Sequence, residues 1–330
     1  MSADFNRVPE INDIIAASER LAGVITNTPL LESPLLNELA GRRVLVKAEC
    51  LQVTGAFKFR GAWSAVSALT DAEKANGVLA YSSGNHAQAV AYAAARHNIM
   101  STILMPEDAP ALKLENTRKY GAEVITYDRA GGEDREAIGQ ALARERGCVL
   151  IKPYDNTQVI AGQGTCGLEI ADQAAHRDIS EAQVLVCCGG GGLTSGIALA
   201  LATKAPGFTV HPVEPEHYDD VVRSLASNRR ETVNTRETSI CDAIVTPAPG
   251  ELTFPLLQQY CGAGMTVTDN EALEAIKVAA STLKLVAEPG GAVALAAALF
   301  RKEHLVTDTV ICVVSGGNVD PAIHARACAS

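Results

Sequence analysis

The chain has few aromatic residues, 4% of 330, and it lacks a CxxC pair, a basic run and any long apolar stretch. Each absence removes a class of function. Nine cysteines are an odd number, and Cys187 and Cys188 are adjacent. That suits neither a disulfide framework nor a zinc site; they read as small apolar residues kept reduced in a cytoplasm. A net charge of −10 without a basic patch disfavours nucleic acid and anionic membranes as partners. The longest apolar stretch, Gly290 to Phe300, is shorter than the about 20 residues of a membrane-crossing helix. The opening MSADFNRVPEINDII has neither the basic start nor the apolar centre of a secretory signal. The expectation is a cytoplasmic protein that meets any anionic ligand with local lysine, arginine or backbone N–H groups.

What is present is an alternation. Short β-branched runs (RVLVKAE, GVLAYSS, STILMP, EVITYD, CVLIKP, QVLVCC, FTVHPVEP and TVICVVS) are separated by alanine-rich stretches at helical spacing, such as HAQAVAYAAARHN, EDREAIGQALARERG and LTSGIALALATK. Strand–helix–strand order predicts an α/β protein with parallel sheets covered on both faces. In such folds ligands gather at the carboxyl ends of strands. No repeat or composition shift marks a domain boundary.

Four loops in those positions carry chemistry. Gly189-Gly190-Gly191-Gly192 follows QVLVCC and leads into a helix near Leu193. Four glycines are costly in backbone entropy, and N–H groups at a helix start bind phosphate without a cationic side chain. The tetrad fits neither GxGxxG nor GxxxxGK[ST], which disfavours a dinucleotide or a P-loop nucleotide. The second loop is TGAFKFRG, opening a predicted helix with Thr54 as its cap. Phe59, Ala62, Trp63, Val66 and Leu69 form the apolar stripe of that helix. Lys58 lies off the stripe, near Gly61, Ala62 and Ala65, where there is room for something flat. In apolar surroundings a lysine loses its proton more readily and becomes a nucleophile toward aldehydes; a solvated surface charge is the plainer reading. The third loop, Ser82 to Gln88 (SSGNHAQ), reads as a carboxylate or hydroxyl cradle, or as ordinary capping by Ser82 or Ser83. Ser315-Gly316-Gly317-Asn318 closes TVICVV in the same manner.

Taken together these loops resemble the fold-type II pyridoxal 5′-phosphate enzymes, in the branch of serine/threonine dehydratases and serine racemases, which includes 3-hydroxyaspartate dehydratases. TGAFKFRGA is similar to the lysine motif of that family, SSGNHAQ to its asparagine loop, GGGGL to its phosphate loop and SGGN to its pyridine-nitrogen loop. AGQGT (Ala161 to Thr165) and EPGGA (Glu288 to Ala292) match two further segments, and all occur in family order. The resemblance implies two parallel-sheet subdomains with the cofactor between them. The large one would comprise residues 1–70 and 156–330, and the small one residues 71–155 with the SSGNHAQ loop. Lys58 would bind the cofactor through its amine and later move protons on one face of the substrate, with the flanking Phe57 and Phe59 keeping it dry. Gly189 to Gly192 and Leu193 would hold the phosphate, Asn85 the ring hydroxyl, and Ser315 the pyridine nitrogen, with Glu288 close by. A serine in place of an aspartate there would leave that nitrogen largely unprotonated, which favours loss of a β-leaving group. Substrate would meet Ser82, Ser83, Gly84, Asn85 and His86.

Finer details bear on the branch. Phe59-Arg60-Gly61 after the lysine is as in dehydratases and racemases. Ser83 stands where racemases carry an acid/base on the face opposite the lysine, or it caps a helix. Arg135, with one residue of departure in spacing, and Thr246 fall where the racemase branch lines its side-chain pocket; an arginine there favours a second carboxylate, while a helix-surface pair with Glu133 or a neighbour of Asp134 is the plainer reading. VEPEHYDD resembles a divalent-cation site in which Glu214, Asp220 and the Tyr218 carbonyl bind Mg²⁺, Ca²⁺ or Mn²⁺. No regulatory domain follows SGGN, so feedback control by isoleucine is not expected and a catabolic role is. The readings in play are a dehydratase that removes water from a 3-hydroxy amino acid (L-threonine, L-serine or 3-hydroxyaspartate) to give a 2-oxo acid and ammonia, a serine racemase with side dehydratase activity, and a non-catalytic binder of a phosphorylated metabolite. A homodimer is the expected assembly.

Overall fold

The computed structural model describes residues 5–329 apart from Ser83, Pro110, Ala130, Asn234 and Arg236, with only the backbone at Ala111 and Leu112. In chain order the elements of the first half are α1 (Ile11–Leu21), β1 (Leu30–Glu32), α2 (Pro34–Ala40), β2 (Arg43–Ala48), α3 (Lys58–Ser67), α4 (Asp71–Asn76), β3 (Val78–Tyr81), α5 (Asn85–Arg96), β4 (Ser101–Pro106), α6 (Ala111–Lys119), β5 (Glu123–Tyr127), α7 (Arg135–Arg146) and β6 (Val149–Leu150). There follow α8 (Thr157–Ala175), β7 (Ala182–Cys187), α9 (Gly192–Lys204), β8 (Phe208–Pro215), α10 (Asp220–Ser227), α11 (Thr253–Tyr260), β9 (Met265–Val267), α12 (Asp269–Val278), α13 (Pro289–Phe300), β10 (Thr309–Val314) and α14 (Pro321–Ala329). No helix among them is long and apolar enough to cross a membrane.

The strands form two sheets, one ordered β1-β2-β10-β7-β8-β9 and the other β5-β4-β3-β6. All eight sequence-predicted strands are present. Val310–Val314 and Ile103–Met105, in the inner strands β10 and β4, are fully buried, as apolar runs between two helical layers should be, whereas β5 and β6 at the edges of the small sheet are only partly so. Two strands were not foreseen, β1 and β9, because three residues are too few to show alternation. β1 also departs from the parallel expectation, since it pairs antiparallel with β2. One core encloses the six-stranded sheet. A second joins the four-stranded sheet to α1, α3, α5 and α8, so a shared helical layer stands between the sheets.

Local sequence sets the helix ends. Asn156 accepts N–H bonds from Gln158 and Val159 to start α8, and Asp134 does the same for α7. Thr54 does not cap α3 as expected. It lies in the left-handed region (φ 63°, ψ 12°) inside a 3-10 turn, Val53–Gly55, and α3 begins only at Lys58 without a side-chain cap. The chain is held instead by the loop after β10: the Phe57 N–H donates to Ser315 O (3.0 Å) and the Gly317 N–H to Gly55 O (2.9 Å).

Nor is α3 buried on one stripe alone; Arg60, Gly61, Ser64 and Ala65 are buried as well. The room expected beside Gly61 is filled by α8. A Cβ on Gly162 would fall 2.5 Å from Arg60 O, and one on Gly61 2.4 Å from the Gln163 amide. The two helices therefore touch backbone to backbone.

Within this contact Arg60 is completely buried and makes two bidentate pairs. It donates to Glu49 through Nε (2.8 Å) and Nη2 (2.7 Å), and to Glu169 through Nη1 (2.7 Å) and Nη2 (2.8 Å). Lys47, equally buried, donates to Glu169 (2.5 Å) and Thr28 O (2.7 Å). Burial alone would raise the Glu49 carboxyl, and the guanidinium overrides it, holding the group below its ordinary value. Removing one partner of such a network strands the others. Arg60→Met is expected to cost about 3–5 kcal/mol in denaturant unfolding. Glu49→Gln in that background should recover part of the loss, because one of the stranded charges is then gone.

Candidate active site

The register of the large sheet brings three strand ends level: Val314 lies opposite Ala48, and Val313 opposite Val186. The loops leaving β2, β10 and β7 emerge side by side, and the loop after β3 faces them from the other sheet. Between them lies a cavity of about 100 Å³ that opens to solvent. Phe57, Lys58, Ser82, Gly84, Asn85, His86, Arg135, Gly189 to Leu193, Thr246, Glu288 and Ser315 all line it. Ser83 lies outside the described residues.

Lys58 is the first residue of α3. Its ammonium donates to Pro153 O (2.8 Å) and sits 5.0 Å from the centre of the Phe57 ring. Burial pushes its pKa down to about 8, against the pull of Cys187 and Glu288. Phe59 does not share in this. Its ring packs on Trp63 and Tyr92 at 5.7 and 5.6 Å, in the core on the far side of the helix.

Opposite the lysine, Asn85 donates to Glu288 Oε1 (2.6 Å) and accepts from Asn318 Nδ2 (2.8 Å), which also donates to Thr54 O (2.8 Å). Burial raises Glu288 to about 7, and the Asn85 bond draws it part of the way back. A Cβ on Gly316 would fall 2.0 Å from Glu288 Oε1, so only glycine fits between them. The Ser315 hydroxyl accepts from the Cys187 thiol at 3.0 Å. Ser82 does not cap α5: the residue before that helix is Gly84, and Ser82 Oγ accepts the Gly84 N–H at 3.2 Å.

The glycine tetrad answers to two demands. Gly191 has φ 92° and immediately precedes α9, whose first N–H groups have no carbonyl within the helix to bond to. The protein also crowds these glycines: a Cβ on Gly190 would meet the Tyr154 ring at 2.3 Å, and one on Gly189 the Ile244 carbonyl at 2.9 Å. A side chain in either place would push away the cavity wall.

Two polar atoms on that wall are buried with no partner among the described residues, Thr246 Oγ1 and His86 Nδ1. Burial, and then Lys58, push His86 down to about 3, so its ring is neutral; Nε2 meets Ile151 O at 2.9 Å. Arg135 has no ion pair among the described residues; its guanidinium stands 5.7 Å from the centre of the Tyr81 ring. The expected partner Glu133 instead accepts the Asp128 N–H at 2.6 Å. Buried groups of this kind, unpaired at a cavity, suit an incoming polar ligand. The residues fit pyridoxal phosphate: an amine of lowered pKa, free N–H groups at a helix start, and a hydroxyl at the cavity floor.

Several lining residues were missed by sequence reasoning: Tyr81, Lys113, Tyr154, Cys187 and Asp242. Tyr81 and Cys187 end strands β3 and β7, so their places beside SSGN and GGGG were legible. Nothing local marks Lys113 or Asp242.

Away from the cavity, Glu214 and Asp220 are both buried. Glu214 accepts the N–H groups of Val221 (3.1 Å) and Val222 (2.7 Å), while Asp220 Oδ2 has no partner among the described residues. Burial raises both carboxyls, Asp220 to about 7, and Asp220 raises Glu214 further. The Tyr218 hydroxyl donates to Glu237 O at 2.9 Å. Among the described residues no three metal-ligating side chains gather, so a cation here would need carbonyl oxygens or water beside the two carboxylates. The donor set, hard oxygens with one orphaned, fits such an ion.

A lysine of lowered pKa facing a glycine loop at the strand ends of a doubly sheeted α/β fold defines a pyridoxal-phosphate enzyme. The family described as "Pyridoxal-phosphate dependent enzyme" matches residues 21–316, and the chain belongs to it. It is 44% identical over 313 residues to the L-threo-3-hydroxyaspartate ammonia-lyase of Saccharomyces cerevisiae, covering 95% of this chain and 94% of that protein. It is 40% identical to the serine racemase of Schizosaccharomyces pombe, covering 95% of each. The solved structure of a T.th. threonine deaminase superposes with a TM-score of 0.88 at 43% identity, over 94% of this chain and 99% of that one.

The depressed Lys58 pKa has a direct consequence. If Lys58 is the residue that condenses with the cofactor aldehyde, it would react in its neutral form, so the rate of pyridoxal phosphate uptake by cofactor-free protein should climb with pH and level off near 8. An ordinary lysine would keep climbing toward about 10.4. Borohydride reduction of the loaded protein should leave a pyridoxyl group on the Lys58 peptide, and Lys58→Ala should abolish both the label and turnover.

Proposed function

We propose that the protein is an ammonia-lyase that removes water from a 3-hydroxy amino acid to yield a 2-oxo acid and ammonia, with 3-hydroxyaspartate preferred. The observation that carries the preference is Arg135, a cation without a counter-ion among the described residues, on the wall that also holds Lys58. The S. cerevisiae relative, named for that dicarboxylate, supports it.

Pyridoxal phosphate, when bound, supplies an electrophilic carbon for the substrate amine and a ring that withdraws electrons from Cα. The chain does the rest. Lys58 would hold the cofactor through its amine, and in its neutral form that amine would take the proton from Cα. Phe57 excludes water beside it. The N–H groups at the start of α9 receive the phosphate. Ser315 would hold the pyridine nitrogen with a neutral hydroxyl, which would leave that nitrogen largely unprotonated and favour loss of a β-leaving group. The Ser82–His86 loop holds the α-carboxylate. Arg135 offers paired donors to a carboxylate on Cβ, and Thr246 a hydroxyl to the same group; the methyl of threonine would leave the guanidinium unsatisfied. Glu214 and Asp220, with the Tyr218 carbonyl, would hold Mg²⁺ or a similar ion, which would relieve the repulsion of the two carboxylates and steady the structure away from the chemistry. The division of the chain into residues 1–70 with 156–330 and residues 71–155 belongs to this reading, supported by the four strands of the small sheet all falling in the latter.

Racemisation is the second reading, supported by the S. pombe relative. It would use Ser83 as the acid/base on the face Lys58 cannot reach, and Ser83→Ala should then reduce racemisation more than elimination.

Ammonia, 2-oxo acid and the opposite enantiomer, assayed together on L-serine, L-threonine and the 3-hydroxyaspartate isomers, test the assignment. The highest kcat/KM is expected for a 3-hydroxyaspartate isomer. Arg135→Ala should lower that value about 10- to 100-fold, the worth of a charged hydrogen bond, and leave L-serine little changed. An unaltered preference would refute the role. Chelation should lower activity and melting temperature together, and Mg²⁺ should restore both; no response to chelator would remove the cation from the proposal.

A further inference from the structure

Two charged residues on the cavity wall have no part in the scheme above. Lys113 lies on the first turn of α6, beside the small sheet, and Asp242 lies in the segment between α10 and α11, on the side of the large sheet. They meet with Lys113 Nζ 3.1 Å from Asp242 Oδ2. The Asp242 side chain is 56% exposed and that of Lys113 18%, so the carboxylate stands at the rim and the ammonium is the more enclosed. The ammonium is also 3.8 Å from the point where a Cβ on Gly84 would stand, the nearest atom to it among the described residues other than Gly84's chain neighbours. Lys113 thus lies close to Gly84 on the wall of the same cavity.

That loop has no charge of its own. His86 is neutral and engaged with Ile151 O, Asn85 is bound on both sides by Glu288 and Asn318, and Ser82 accepts from Gly84. A carboxylate arriving there would find only neutral donors, unless Lys113 changes partner. The exchange is favourable. Its present pair is partly exposed and screened by water, whereas a carboxylate inside the cavity is less screened and takes a charge-assisted bond. Asp242, released at the rim, is hydrated at once.

We propose that Lys113 is a substrate-binding residue that receives the α-carboxylate, and that Asp242 masks it until substrate enters. This rests on reading the cavity as an amino-acid site. The α-carboxylate is common to every amino acid, so Lys113 governs affinity for the class, while Arg135 acts on the side chain.

The test uses holoenzyme titrated with L-alanine, which binds but has no leaving group, followed by the absorbance of the bound cofactor. Lys113→Met should raise the Kd for L-alanine about tenfold or more. It should raise KM for L-serine and 3-hydroxyaspartate by the same factor, with kcat little changed. Lys113→Arg should restore most of the affinity, and Asp242→Asn, which unmasks the ammonium, should tighten binding. An unchanged Kd in Lys113→Met, or an effect confined to 3-hydroxyaspartate, would overturn the assignment. So would Asp242→Asn weakening binding as much as Lys113→Met, because the pair would then be a structural strap. Turnover of hydroxy amino acids by the parent protein tests the functional reading separately, since alanine binding requires no elimination.

Discussion

The buried guanidinium of Arg60 fixes the geometry on which the cavity depends. It sits two residues beyond Lys58 and ties α3 to Glu49, just after β2, and to Glu169 on α8. Two buried cations, Arg60 and Lys47, face two carboxylates, and each charge is tolerable there only because the others are present. The network sets where α3 lies against the sheet and therefore where the amine of Lys58 emerges. The glycine contact between α3 and α8 allows the approach, since a methyl at Gly162 would separate the helices before the ion pairs could close.

With α3 so placed, the remaining site is a matter of stitching. The Thr54–Phe57 segment is bonded to the loop after β10, and that loop is clasped in turn by the start of α13, where the Glu288 N–H donates to Gly316 O at 3.0 Å. Asn85 joins the second sheet to both through Glu288 and Asn318. Four chain segments that the sequence scatters from Thr54 to Asn318 thus share one hydrogen-bonded floor. None of its members is free to move alone.

Much of this was legible before any coordinates. β-branched runs and helical spacing reveal strands and helices, and glycine loops at predicted strand ends point to where a ligand sits. The residues expected to line a cavity do line one where they are described. What escaped was long-range. Arg60 reads as one more polar residue of a helix, and only the meeting of α3 with α8 shows it buried. Thr54 looks like a cap because local chemistry favours it, yet the loop from β10 takes over the helix start. Phe59 looks like a second guard for the lysine, but the helical turn carries it into the opposite core. Lys113 and Asp242 are surface charges to any local reading, and only tertiary structure brings them together.

The position of β10 has a consequence for biosynthesis. This strand lies between β2 and β7, so the last of the described strands in chain order is an inner one, and the large sheet stays in two pieces until residues 309–314 leave the ribosome. The early segments must wait with the edges of β2 and β7 unpaired, which makes this a slow, non-local closure exposed to wrong pairing. Because Ser315 and Asn318 follow directly on that strand, the cavity acquires its floor in the same event. A chain stopped short of β10 would carry Lys58, Asn85 and Glu288 without the Ser315–Asn318 loop that bonds to the start of α3.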